Sequence, residues 1–204
     1  RVAQTLGAGQ GDLLTGRAAT EAAFRREPLD QFRVLYFATH GLLPGELNCQ
    51  TQPALALSPP PTPATSRADD GLLDAGEIAG LRLNADLVVL SACNTAEGGA
   101  KLGGEALSGV AQAFFFAGAR TLVASHWQVP SAATASLMVG MFQRLGASGG
   151  TAQALRQSQL ALSSQPGTAN PFYWAAFTVL GDGDRGMAGA APTRQSSLAT
   201  REIR

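Results

Sequence analysis

Cysteine is scarce in this chain: Cys49 and Cys93 are the only two in 204 residues, and no CxxC spacing joins them to anything. That argues against a disulfide framework and against a structural zinc site, and it suits a reducing interior. Charge of one sign is lacking too. Lys+Arg and Asp+Glu each number 15, with no basic or acidic block, so neither nucleic acid nor an anionic membrane is indicated as a partner. No apolar run reaches transmembrane length, and no charged-then-apolar signal opens the chain. No GxSxG elbow joins a strand to a helix, which disfavours a serine hydrolase. "GAGQG" lacks the strand before and helix after of a dinucleotide loop, and "GGAKLGGE" lacks the Lys-Ser/Thr of a phosphate loop. The first residue is Arg1 and not Met, so the chain is expected to be a piece of a longer protein; the reducing interior that suits its cysteines goes with a cytoplasmic location.

What is present is a globular composition, with 45% hydrophobic residues and length enough for one large domain. Residues 1–11 read as the remnant of a preceding segment, 12–182 as the domain, and 183–204 as a tail without structure. Thr20 caps a short helix, "EAAFRRE", stopped by Pro28. "RVLYFATH", "ADLVVLSA", "RTLVASHW" and "FYWAAFTVLG" have the length and residue types of strands, and "PALAL" of a shorter one. Helical spacing runs through "LLDAGEIAGLRL" at Leu73, Ile78 and Leu81, and through "GEALSGVAQAFFFAGA" at Leu107, Val110, Ala111 and Phe114. Two more helices follow, "SAATASLMVGMFQRLG" with Ser131 as cap and "TAQALRQSQLAL". "SPPPTPATSRADD" is too proline-rich and polar to pack and reads as an insertion. Strands alternating with helices predict a mainly parallel sheet covered on both faces.

In such sheets chemistry gathers beyond the carboxyl ends of the strands. Two strands run out into reactive residues, "YFATH" into His40 and "VVLSAC" into Cys93. A free thiol is mostly protonated near neutrality, and a neighbouring imidazole activates it. The amide of Gly41, unobstructed by a Cβ, and that of Cys93 can stabilise an oxyanion in acyl transfer. His126 also ends a strand and competes for the role of base. Cys49 lies in a loop with no strand before it and reads as incidental. Trp127 reads as a pocket wall or as ordinary core. Asp69, Asp70 and Asp74 could hold a cation but fit a solvated acidic turn better.

At "VLYFATHG" and "DLVVLSACNT" the chain resembles the CHAT domain, a caspase-like domain often found behind tetratricopeptide repeats. Through it the chain is similar to the caspase, separase and gingipain cysteine peptidases. "DDGLLDAGEIAGLRLNADLVVLSACNT", "GGEALSGVAQAFFFAGARTLVASHWQV" and "NPFYWAAFTVLGD" continue the likeness in family order. The interval from His to Cys is roughly the fifty residues of caspases, without the caspase pentapeptide around the cysteine. The resemblance implies a caspase-like three-layer α/β/α sandwich around a mainly parallel sheet. It implies a cysteine endopeptidase acting on a protein or peptide substrate, with His40 and Cys93 as dyad and the Gly41 and Cys93 amides as oxyanion hole. Neither metal nor other cofactor is expected. Trp127, Gln128 and Val129 would border the substrate pocket, and upstream repeats or a partner would regulate it.

One departure stands out. Many relatives carry an acidic residue just after the Trp-x-Val of the third strand, able to receive a basic substrate side chain. Here the sequence is Trp127-Gln128-Val129-Pro130-Ser131. Asp69, Asp70 and Glu105 are the available substitutes. The same departure motivates the rival reading, a catalytically inactive CHAT scaffold or interaction domain. A nucleotide-binding module is a more distant rival, opposed by the missing phosphate loop.

Overall fold

In the computed structural model the described residues are 2–48, 50–60, 69–91, 103–146, 149–184 and 200–203, with backbone alone for 103–108 and 200–203. Four adjacent strands carry the architecture: β2 (Val34–Phe37), β6 (Leu87–Leu90), β7 (Thr121–Ser125) and β8 (Phe177–Gly181). β1 (Leu13–Leu14) and β9 (Thr200–Ile203) extend the sheet to the order β1-β9-β2-β6-β7-β8. All neighbours are parallel except β7 and β8. A second sheet, antiparallel, contains β3 (His40–Leu42), β4 (Ala54–Ala56) and β5 (Leu72–Asp74) in that order.

The alternation of side chains along a strand sorts the core into two layers. Leu35, Phe37, Val88, Leu90, Leu122 and Ala124 face one way, and Val34, Tyr36, Leu87, Val89 and Val123 the other. Every one is buried, as expected for a parallel sheet covered on both faces. Over the first face lie α2 (Glu21–Arg25), α3 (Ala75–Ala79) and α4 (Gly103–Ala117), through Phe24, Ile78 and Phe114. Phe37 meets Phe24 edge-on at 5.6 Å and Phe114 at 5.4 Å between ring centroids. Over the second face lie α1 (Val2–Thr5), α5 (Ser131–Leu145) and α6 (Thr151–Ser163). Met138, Met141, Phe142 and Leu145 of α5 point inward at helical spacing. Each large side chain so buried contributes about 1.5–3 kcal/mol. This is the mainly parallel sheet covered on both faces that the alternation predicts, and the three-layer α/β/α sandwich that the resemblance implies.

Several boundaries differ from the sequence reading, each for a local reason. "RVLYFATH" is not one strand: β2 stops at Phe37, and after Ala38 and Thr39 the chain leaves the main sheet, so His40 opens β3. "LLDAGEIAGLRL" is helical only from Ala75, because Leu72–Asp74 pairs with Ala54–Ala56 and Asp74 then caps α3, accepting from Glu77 N at 2.9 Å. Pro130, not Ser131, occupies the N-cap of α5, with no side-chain cap bond. Thr20 does cap α2, its hydroxyl accepting from Ala23 N at 3.2 Å. From the tail, residues 185–199 lie outside the described residues, whereas Thr200–Ile203 forms β9 between β1 and β2. Of the insertion, 61–68 likewise lies outside, and its two stems are joined by Leu57 N donating to Gly71 O at 2.8 Å.

At the amino ends of β2, β6 and β7, Asp86 takes a hydrogen bond and ion pair from Arg33 and another from Arg120 at 2.8 Å. Arg120 also donates to Asn84 Oδ1 at 2.9 Å. The opposite rim carries the candidate chemistry.

Candidate functional site

β2 and β6 are parallel neighbours in register, with Phe37 opposite Leu90, so both chains leave the sheet at the same level. One further ladder bond, Ser91 N to Phe37 O at 2.8 Å, holds the exits side by side. Beyond Phe37 the chain crosses into the second sheet, whose first residue is His40. His40 and Ser91 line the same cavity, about 810 Å³ in volume. Ala38 and Thr39 line it as well, together with Ala56–Ser58 at the end of β4 and residues at the start of α5.

His40 is exposed and so open to a bound molecule, while Gly41 behind it is buried and paired with Leu55 of β4. Thr39 Oγ1 is buried and, among the described residues, has no hydrogen-bond partner. Among the described lining residues there is no Asp, Glu, Lys or Arg; His40 and Tyr36 are the titratable ones. Cys93 and Cys49 lie outside the described residues.

The residues following the third strand separate. Val129 is buried and lines the cavity. Trp127 turns away, its indole Nε1–H donating to Phe172 O at 3.0 Å, and Gln128 is exposed without lining the cavity. His126, the competing base, stands on the other side of the sheet's centre, where Nε2 lies 3.3 Å from Thr178 Oγ1 of β8. It does not line the cavity.

The acidic residues near the second sheet have local partners. Asp69 Oδ1 accepts from Ala22 N at 3.3 Å, and Asp70 Oδ1 from Leu72 N at 2.9 Å. Glu21 has a fully buried side chain. Its Oε2 accepts from Gly71 N at 2.7 Å, and its Oε1 lies 3.5 Å from Arg25, which pairs with Glu77 at 2.8 Å. Burial raises the Glu21 carboxyl above the ordinary carboxylate range; the Gly71 amide opposes this, and Glu77 and Asp70 reinforce it. Burial likewise raises Glu77, against the Asp74 amide.

Sequence reasoning passed over Ser91, Thr39, the β4 exit and the α5 first turn. Ser91 had a signal, since it directly follows the apolar run Leu87–Leu90. The β4 exit had none, because nothing in "PALALS" tells which sheet receives it. Gly146-Ala147-Ser148-Gly149-Gly150 has the GxSxG letters, but it joins α5 to α6 and so lacks the strand-to-helix context of a nucleophile elbow.

The family model described as CHAT domain matches residues 1–182. Among curated proteins, the mouse (Mus musculus) Tetratricopeptide repeat protein 28 is 30% identical over 110 residues, which is 54% of this chain and 4% of that protein. The chain thus spans a small fraction of that relative's length.

Proposed function

Starting from the fact that this chain belongs to the CHAT domain family, we propose that it is a cysteine endopeptidase of caspase-like type, with Cys93 as nucleophile and His40 as acid and base. The observation that carries the reading is that His40 and Ser91 line one cavity, with Cys93 two residues after Ser91. In this reading the Cys93 thiolate attacks a peptide carbonyl, and the amides of Gly41 and Cys93 receive the oxyanion. His40 gives a proton to the departing amine, leaving a thioester. It then takes one from a water that attacks the thioester, releasing the acid and restoring the thiol. Val129 borders the substrate.

The name of the mouse relative supports upstream tetratricopeptide-type repeats in the full-length protein, which would recruit substrate or release the site. Among the described residues no helix is long and apolar enough to cross a membrane. We place the protein in the cytoplasm, where cysteines stay reduced.

The test is thiol-dependent peptide hydrolysis by the full-length protein. Cys93→Ala should abolish it, and His40→Ala should lower kcat by about 10²–10⁴-fold, the usual worth of a positioned acid–base group. An irreversible thiol-directed peptide probe should label Cys93 in preference to Cys49. Unchanged hydrolysis in both variants defeats the reading. Inertness of Cys93 in the activated protein supports an inactive scaffold.

A further inference from the structure

We infer that the cavity selects an uncharged substrate side chain next to the scissile bond, with the first turn of α5 as the selecting wall. This rests on the peptidase reading and names its substrate class.

The argument begins with what faces the space beside His40. The α5 wall consists of Ser131, Ala132, Thr134 and Ala135, preceded by buried Val129. None of these carries a charge, and Thr134 Oγ1 lies 3.4 Å from Val129 O, its natural hydrogen-bond acceptor. Among the described residues, a guanidinium or ammonium brought here would give up water without meeting a carboxylate. The described carboxylates in and around the second sheet are committed elsewhere. Asp69 and Asp70 hold backbone amides of Ala22 and Leu72, Asp74 caps α3, and Glu21 and Glu77 share Arg25. None of them lines the cavity, and Glu97 and the Glu105 side chain lie outside the described residues.

A carboxylate fares little better. The first turn of α5 has amide donors without intrahelical acceptors, and Pro130 supplies no side-chain cap, so this end of the helix attracts partial negative charge. That attraction is smaller than the hydration an ion surrenders when no cation meets it. Neutral groups that accept a hydrogen bond, or that are simply apolar, lose least on entering. The selected residues are therefore of the Ala, Val, Thr, Asn or Leu kind, and both Arg/Lys and Asp/Glu are disfavoured.

Ser131 offers a direct test. An Asp in the first turn of a helix is favourable for the helix itself, so Ser131→Asp should fold. Peptidyl acyloxymethyl ketones differing only in the residue beside the reactive carbonyl would be compared by their rates of Cys93 alkylation in the full-length protein, read by mass spectrometry. Wild type should react at least tenfold faster with the Ala and Asn probes than with the Arg or Asp probes. Ser131→Asp should raise the ratio of the Arg-probe rate to the Ala-probe rate at least tenfold. Fastest wild-type reaction with Arg or Asp overturns the inference, as does a Ser131→Asp variant that folds but gains nothing toward Arg relative to Ala. If no probe labels Cys93 beyond a free thiol, the peptidase reading falls instead. The pocket is then judged by fluorescence polarisation with the matching peptides on the same protein. Preferential binding of the uncharged peptides upholds the inference, and equal or better binding of the Arg or Asp peptides overturns it.

Discussion

Glu21 carries unusual weight for one residue. Its buried carboxyl joins α2 to Gly71, and Gly71 O accepts from Leu57 N, so a cavity-lining residue is tied to the α2 layer through two hydrogen bonds. The folded-state carboxyls of Glu21 and Glu77 are both raised above 4.5, chiefly by burial. The folded form therefore holds these protons more tightly than the unfolded form. Their stabilising contribution is complete below about pH 4.5 and is lost as pH rises through the elevated values. Glu21→Gln keeps an acceptor for the Gly71 amide but cannot ionise. Relative to wild type, the variant should gain stability between acidic and neutral pH, measured as urea midpoints across that range. A wild-type-to-variant difference independent of pH would contradict this. At this scale the sequence was partly legible. His40 and Cys93 stood out because reactive residues after apolar runs are rare. Glu21 did not, since an acid in the first turn of a short helix looks like an ordinary surface residue until Gly71 is seen above it.

Among the elements, the end of α4 sets the start of β7. Ala117 O accepts from Leu83 N at 2.7 Å, and Gly118 turns the chain with φ of +110°. A Cβ there would stand 2.3 Å from Leu83 O, a backbone atom that cannot swing aside. Left-handed strain alone costs about 1–2 kcal/mol, and the clash adds to it. Gly118→Ala should accordingly destabilise the protein by about 2–4 kcal/mol in equilibrium urea unfolding. "FFFAGA" advertised this stop well, as glycine after a helical face does. The stretch "LLDAGEIAGLRL" was less readable. Leu73 and Ile78 fit a helical face equally well whether Leu73 lies in the helix or in the strand before it. Cross-strand pairing with Ala54–Ala56, absent from local periodicity, decides the matter.

For the whole molecule, layer order was legible because strands and helices alternate and apolar positions repeat at the proper periods. Sheet membership was not. Nothing local to "RVLYFATHG" says that one sheet ends at Phe37 and another begins at His40, or that four residues near the chain's end lie between its first two strands. That last arrangement has a measurable effect. A chain shortened to end at Asp184 leaves β1 without a partner and one flank of β2 unpaired. The shortened protein should have a lower urea midpoint and self-associate with rising concentration, seen by sedimentation, because an unpaired flank recruits other strands. Equal midpoints and a monomeric profile would count against β9.

The charged cluster of Arg33, Asp86 and Arg120 sits one strand length from the cavity. From Asp86 to Leu90 is about 13 Å at the usual rise per residue. Partly solvated charges fade within about 8 Å in physiological salt. The foundation of the sheet is thus electrically silent at its crown, so the reactivity of the imidazole is governed by its immediate surroundings, and the two poles can be altered independently.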